Sequence, residues 1–100
     1  MPALLEPEAV QTLLQEVPEW KLEENSISRA FEFASFPLAI AFVDKVAGEA
    51  EKANHHPDID IRWKTVRLVL SSHSAGGLTS ADFTLARKLD QVFGQAAGAA

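Results

Sequence analysis

Residues 50–70, AEKANHHPDIDIRWKTVRLVL, contain the change of pattern that decides the fold. From about residue 36 up to this stretch apolar residues recur every three or four positions, whereas after Pro57 apolar and polar residues alternate. Proline removes a backbone N–H and biases the preceding residue, His56, toward an extended backbone. The stretch therefore predicts that a helix ends just before Pro57 and that a pair of strands follows.

The same two periods divide the rest of the chain. Helical spacing predicts three helices, and alternation predicts four short strands that pair as two hairpins, with Arg29 as a polar exception on the apolar side of its strand. The order α-β-β-α-β-β-α predicts an α+β fold, a four-stranded antiparallel sheet with three helices on one side. Its two open edges favour pairing into oligomers. The helices cover about residues 7–17, 35–54 with Ser35 as cap, and 79–93, and the strands about residues 20–22, 27–33, 59–63 and 66–70.

The bulk composition limits the classes of function. One hundred residues without a repeat or linker predict a single domain, residues 1–100, with a tail from Gly94 to Ala100 that is expected to fray. A net charge of -5 offers no basic surface for direct nucleic-acid binding. No cysteine is present for disulfides or thiolate metal sites, and no segment approaches the roughly 20 apolar residues of a membrane span. We expect a cytoplasmic protein without a membrane partner.

All three histidines of the chain, His55, His56 and His73, fall within 19 residues of one another. Histidine is the side chain whose ordinary pKa lies near neutral pH, so it can both give and take a proton. If the second helix runs to about His55, Glu51 lies one helical turn away and can hold that ring in one orientation. His73 follows the fourth strand, so the three imidazoles converge if the sheet brings this strand end to the end of the second helix.

The candidate site residues, and two others near them in the sequence, also have purely structural interpretations. A histidine near the end of a helix interacts favourably with the helix dipole, and Glu51 with His55 could be a surface pair worth about a few tenths of a kcal/mol. Thr79-Ser80-Ala81-Asp82 resembles a capping box, which needs an acid with no chemistry involved. Trp63 continues the alternation of the preceding isoleucines, which favours a place in the core.

Other kinds of site fit the residues less well than proton transfer does. Three histidines and a glutamate could in principle bind zinc, but adjacent histidines in an extended stretch point apart and no HExxH spacing is present. Ser71, Ser72 and Ser74 lack the context of a nucleophile elbow. Acid–base catalysis by imidazoles is what the residues favour, with each such role typically worth about a hundred- to ten-thousand-fold in rate.

The residues that carry this chemistry resemble a known family. Glu51, the His55-His56-Pro57 run, Trp63, His73 and Asp82 occur at spacings similar to the signature of the pterin-4a-carbinolamine dehydratases. The resemblance extends from about Trp20 to about Leu89. It implies the same α+β fold, assembly as a homodimer through the sheets or as a homotetramer through the helices, and no metal or organic cofactor.

The resemblance also implies a reaction and a role for each residue. The substrate would be 4a-hydroxytetrahydrobiopterin, which loses water to give the quinonoid dihydropterin in pterin recycling, and this links the chain to an aromatic amino acid hydroxylase. His55 and His73 would be the acid–base pair. His56 would hold the pterin and share in proton transfer, and Glu51 would orient a histidine. Trp63 and Asp82 would complete the substrate-binding side of the motif, with Asp82 expected to be structural first.

Two further roles stay open for a chain that resembles this family. Animal members of the family also act as dimerisation cofactors for a homeodomain transcription factor, and divergent relatives are associated with molybdopterin metabolism.

One residue of this chain departs from the pattern of the family. Many bacterial members have an acid just after the third histidine, where this chain has Ser74. This difference removes a local partner for His73, and we expect it to tune activity rather than abolish it.

Overall fold

A computed structural model describes residues 3–95 and contains the predicted three helices and four strands in the predicted order. A single 3-10 helix (His73–Ala75) follows the last strand. The predicted tail lies outside the described residues from position 96 onward, while Gly94 and Gln95 still belong to the third helix. The elements are α1 (Pro7–Leu14), β1 (Lys21–Glu23), β2 (Ser26–Glu32), α2 (Phe36–Ala53), β3 (Asp58–Arg62), β4 (Thr65–Leu70) and α3 (Ser80–Gln95).

The strands form one antiparallel sheet in the order β1-β2-β4-β3. Both predicted hairpins are present, and pairing of β2 with β4 joins them. The inward side chains of these central strands share one apolar cluster with residues from all three helices, which confirms the predicted layers. Ala30 and Arg67, which pair with each other on the other face, are exposed. The buried core includes Ile27, Phe31, Leu68 and Leu70 of the sheet, Val10 of α1, Phe42 and Val46 of α2, and Phe83 and Leu89 of α3.

Arg29, the polar exception in the strand pattern, is neutralised within the structure. Its Nη1 donates to Oδ1 of Asp90 at 2.7 Å, and its guanidinium carbon lies 4.4 Å from the ring centroid of Phe31 and 5.1 Å from that of Phe93. The indole Nε1 of Trp20 donates to the same Asp90 oxygen at 2.8 Å. Ion pairing and cation–π contact thus allow a charged residue on the apolar side of β2.

The prediction that Trp63 lies in the core is wrong. Arg62 pairs with Thr65, so Trp63 and Lys64 form a two-residue turn, and the strand alternation ends one residue before the tryptophan. Trp63 is 71% exposed, has a positive φ of 54° and contacts the Lys64 Nζ at 4.5 Å from its ring centroid. The alternation of apolar and polar residues did not reveal this turn, because neither Trp63 nor Lys64 favours the positive φ that is typical of such turns.

We expect Asp90→Ala to lower the free energy of unfolding by about 1–3 kcal/mol, because the change leaves both the indole N–H of Trp20 and the partly buried Arg29 without an acceptor. Asp60→Ala is the control, since Asp60 forms an exposed pair with Arg62 and such pairs contribute little. Urea denaturation of both variants measures the difference. Equal stability of the Asp90 and Asp60 variants would contradict the proposed role of this contact.

Candidate active site

The end of α2 determines where the first two histidines point. Asn54 takes the left-handed conformation, with φ 50° and ψ 42°, which asparagine tolerates better than most residues. Its N–H donates to the Glu51 carbonyl at 3.2 Å, and the N–H of His55 donates to the Ala50 carbonyl at 3.1 Å. These two bonds are the Schellman arrangement that ends a helix and turns the chain. His55 therefore leaves the helix instead of extending its surface.

The predicted pairing of Glu51 with His55 is wrong for this reason. Glu51 instead contacts His56, with Oε2 and Nε2 at 2.5 Å. The two side chains are 77% and 56% exposed, and ion pairs at such exposure typically contribute about 0–1 kcal/mol. Glu51 therefore contacts the neighbouring ring of His56, through an exposed pair, and not the ring of His55.

The partner of His55 is Asp82, which lies on α3. The distance from His55 Nε2 to Asp82 Oδ1 is 2.5 Å, with the histidine side chain 16% exposed and the aspartate fully buried. The other carboxylate oxygen, Oδ2, accepts from the Ser72 hydroxyl at 2.9 Å and from the Thr79 backbone N–H at 2.9 Å. Three donors thus surround a single buried carboxylate, as a buried charge requires.

The hydrogen bonds around Asp82 limit the tautomers that are open to His55. Ser72 gives its only hydroxyl proton to Asp82, so in its 2.8 Å contact with the Thr79 hydroxyl it must accept. Thr79 in turn accepts from the N–H of Ala81 at 3.3 Å. An ionised carboxylate only accepts, so an ionised Asp82 requires the proton of this contact to lie on Nε2 of His55. Nδ1 is then the ring nitrogen of His55 that is left for proton exchange with a ligand.

Asp82 is at the same time the acid of the predicted capping box. It occupies the third position of α3, its Oδ2 accepts from the N–H of Thr79 just before the helix, and the Thr79 hydroxyl accepts from Ala81. The capping of α3 and the contact with His55 are therefore compatible, because each uses a different carboxylate oxygen of Asp82. Asp82 is fully buried and does not line the cleft described below, so the structure places it behind His55 and not at the surface that a ligand would contact.

His73 is held by the backbone of its loop. Ser72 donates its N–H to the carbonyl of Gly77 at 2.8 Å, and its own carbonyl accepts from the N–H groups of Ala75 and Gly76 at 3.0 Å each. Gly76 has a φ of 80°, which closes the loop at little steric cost. Within residues 3–95, the imidazole of His73 has no hydrogen bond or ion pair, so the loop fixes the position of its backbone and not the orientation of its ring.

The three imidazoles meet at one open cleft of about 580 Å³, as the predicted topology required. Ser71, Ser72 and Ser74 line it as well, and its size is in the range of about 300–1,000 Å³ that is usual for small-molecule sites. Glu51 and Asp82 support the histidines from outside the lining. Trp63 lies beyond the opposite end of β3 and does not line the cleft, so one chain does not bring it to the other motif residues.

Sequence reasoning missed the connections that make this a site. The role of Asn54 had a usable signal, because asparagine before an extended stretch is a common helix terminator. The hydrogen bonds of Ser72 to Asp82 and Thr79 had no signal in the sequence, since they depend on tertiary distances.

In the part of the chain that the structure describes, no group of three or more acidic or histidine side chains is arranged to hold a metal ion. No helix in that part is long and apolar enough to cross a membrane.

Comparison with known proteins relates the chain to one family. The family described as pterin 4 alpha carbinolamine dehydratase matches residues 3–92. A protein of Nocardia farcinica, which carries the name pterin-4-alpha-carbinolamine dehydratase provisionally, is 55% identical over 89 residues. The matched part covers 89% of this chain and 94% of that relative.

Two solved structures are also similar. One, from Brucella melitensis and described as a transcriptional coactivator/pterin dehydratase, has a TM-score of 0.84 and 30% identity and covers 88% of this chain and 96% of its own. The other, described as a pterin dehydratase-like protein that is a RuBisCO assembly factor in the alpha-carboxysome, has a TM-score of 0.60 and 23% identity over 73% of this chain and 84% of its own, and bears on the fold alone. The match of the family to nearly all of the chain, together with the close relative, shows that the chain belongs to the pterin-4-alpha-carbinolamine dehydratase family.

Proposed function

We propose that this protein is a dehydratase that removes water from 4a-hydroxytetrahydrobiopterin by histidine acid–base catalysis. The observation that carries the proposal is the convergence of His55, His56 and His73 on one cleft, with His55 oriented by a buried carboxylate. Membership of the family supports the choice of substrate. The product would be the quinonoid dihydropterin, which a reductase can recycle after aromatic amino acid hydroxylation.

The proposed reaction needs two proton transfers and no change in overall oxidation state. One imidazole gives a proton to the 4a-hydroxyl, the C4a–O bond breaks, and the oxygen leaves as water. The other imidazole takes the proton from N5, and the electron pair of the N5–H bond forms the C4a=N5 double bond. Each positioned acid or base typically accelerates such a step by about a hundred- to ten-thousand-fold, so two can account for an enzyme without a cofactor.

The contacts of each histidine support a division of labour. His55 keeps Nδ1 for the substrate because Nε2 is bound to Asp82, and this buried contact fixes the plane of its ring. His73 has both ring nitrogens unengaged within residues 3–95 and forms the second member of the pair. His56, with its weak contact to Glu51, can adjust its ring and holds the pterin.

A homodimer or homotetramer is part of the proposal. Strand β3 is an open edge of the sheet, and its inward residues Ile59 and Ile61 remain exposed because the helices do not cover them. Unpaired backbone groups beside apolar side chains favour pairing with another chain. Phe36, also exposed at the start of α2, adds to the apolar surface. A cytoplasmic protein that works with an aromatic amino acid hydroxylase is the setting that this reaction implies.

A binding role without catalysis is the competing function. It is supported by the description of the similar Brucella melitensis protein as a transcriptional coactivator/pterin dehydratase. A binding module has no need for three imidazoles at one cleft. The kinetic experiment below separates the two, since a module without activity would leave the spontaneous rate of substrate decay unchanged.

His55→Ala and His73→Ala should each lower kcat/KM for dehydration by about a hundred- to ten-thousand-fold, because each removes one proton-transfer group. Stopped-flow absorbance of 4a-hydroxytetrahydropterin decay measures this. Gln91→Ala, on the exposed face of α3, serves as the matched control and should keep the wild-type rate. Wild-type protein that does not exceed the spontaneous decay would refute the dehydratase proposal.

Asp82→Asn and Glu51→Gln should differ sharply in effect. The Asp82 change removes the buried acceptor of His55, so we expect at least a hundredfold loss of kcat and an altered pH profile of kcat/KM, with about 1–3 kcal/mol lost in unfolding free energy. The Glu51 change affects only an exposed pair and should cost less than about tenfold. Equal kinetic losses for the Asp82 and Glu51 variants would contradict the positioning role.

Wild-type protein at micromolar concentration should have two or four times the monomer mass by light scattering, and Ile61→Glu should shift it toward the monomer. A charge at this position opposes burial of the exposed edge of β3 against another chain. Ala30→Glu, which introduces the same charge on the exposed outer face of β2, is the control. A monomeric wild type, or equal dissociation of both variants, would rule out assembly through β3.

A further inference from the structure

A second recess adjoins the histidine cleft at His73. It has a volume of about 400 Å³ and is lined by His73, Ser71, the Gly76-Gly77 pair and the tip of the β1–β2 hairpin. His73 and Ser71 line both the recess and the cleft. The two spaces therefore adjoin at these residues, and a ligand bound in the cleft can extend past His73 into the recess.

The tip of the hairpin is firmly placed beside this imidazole. Glu23 pairs with Ser26 across the strands, so the turn consists of Glu24 and Asn25, and Glu24 has a positive φ of 53°. Arg67 Nη2 donates to Glu23 Oε1 at 2.5 Å. The Cβ of Asn25 lies 4.0 Å from the position that a Cβ on Gly77 would take, which brings the turn against the loop that carries His73.

The polar groups of this turn are available to a ligand. Within residues 3–95, no hydrogen bond or ion pair engages the side chains of Glu24 and Asn25, whereas the carboxylate of Glu23 is held by Arg67. A carboxamide can donate and accept at once, and a carboxylate can accept, so the pair suits neutral hydroxyl groups. The acidic charge of the turn disfavours a phosphorylated or carboxylated group.

We infer that this recess binds the hydroxylated side chain at C6 of the pterin and that Asn25 is a specificity-determining residue. The inference rests on the proposed dehydratase function. C6 is bonded directly to N5, the atom that loses a proton, so an imidazole that acts at N5 lies next to the C6 substituent. A pterin in the cleft with its side chain in the recess thus places N5 at His73 and leaves the 4a-hydroxyl to His55.

The test compares two substrates that differ only at C6, the 4a-hydroxytetrahydropterins with a dihydroxypropyl group and with a methyl group. Wild-type protein should have the higher kcat/KM for the hydroxylated substrate. Asn25→Ala should reduce the ratio of the two values by about three- to tenfold, the effect of one lost hydrogen bond. Gln15→Ala, an exposed amide outside both spaces, is the matched control and should leave the ratio unchanged.

Glu24→Gln provides a second variant that keeps hydrogen bonding and removes the charge. It should retain the preference for the dihydroxypropyl group and raise kcat/KM for a pterin with a carboxylated C6 substituent. Dehydration of both substrates with a ratio that Asn25→Ala does not change would overturn the recess assignment alone. Absence of dehydration of either substrate by the wild type would overturn the proposed function and, with it, this inference.

Discussion

The buried carboxylate of Asp82 is the interaction on which both the fold near the site and the site itself depend. One oxygen caps α3 and holds Ser72 in the loop that follows β4, while the other holds His55 at the end of α2. The end of α2, the loop after β4 and the start of α3 are thus joined at a single group. A fully buried charge is tolerated only when its acceptor positions are filled, so each partner of Asp82 is constrained by the other two.

The three histidines consequently differ in how strictly they are held. The contact of His55 with Asp82 is shielded from solvent, whereas that of His56 with Glu51 is exposed and screened, so the first fixes a ring and the second only biases one. His73 depends on the backbone hydrogen bonds of a short loop anchored at Ser72. The structure therefore fixes the ring of His55 through a buried contact, biases that of His56 through an exposed one, and positions only the backbone of His73.

Much of this architecture is predictable from the sequence, because helical and alternating periods report which face of an element is buried. The exceptions have physical causes. Trp63 follows the alternation of its strand, but a two-residue turn takes it out of the sheet. Glu51 and His55 have helical spacing, but the left-handed Asn54 ends the helix between them. The capping role of Asp82 is local and was predictable, whereas its bond to His55 spans 27 residues and requires the folded chain.

The central claim, that buried Asp82 holds His55 with a proton on Nε2 and leaves Nδ1 for proton transfer, is tested most directly by nitrogen-15 NMR of the histidine rings. In neutral imidazole, His55 should be the Nε2–H tautomer, with a slowly exchanging ring proton that correlates with Nε2, and exposed His56 should show faster exchange. An Nδ1–H tautomer for His55, or a ring that exchanges between tautomers as freely as His56 does, would contradict the claim.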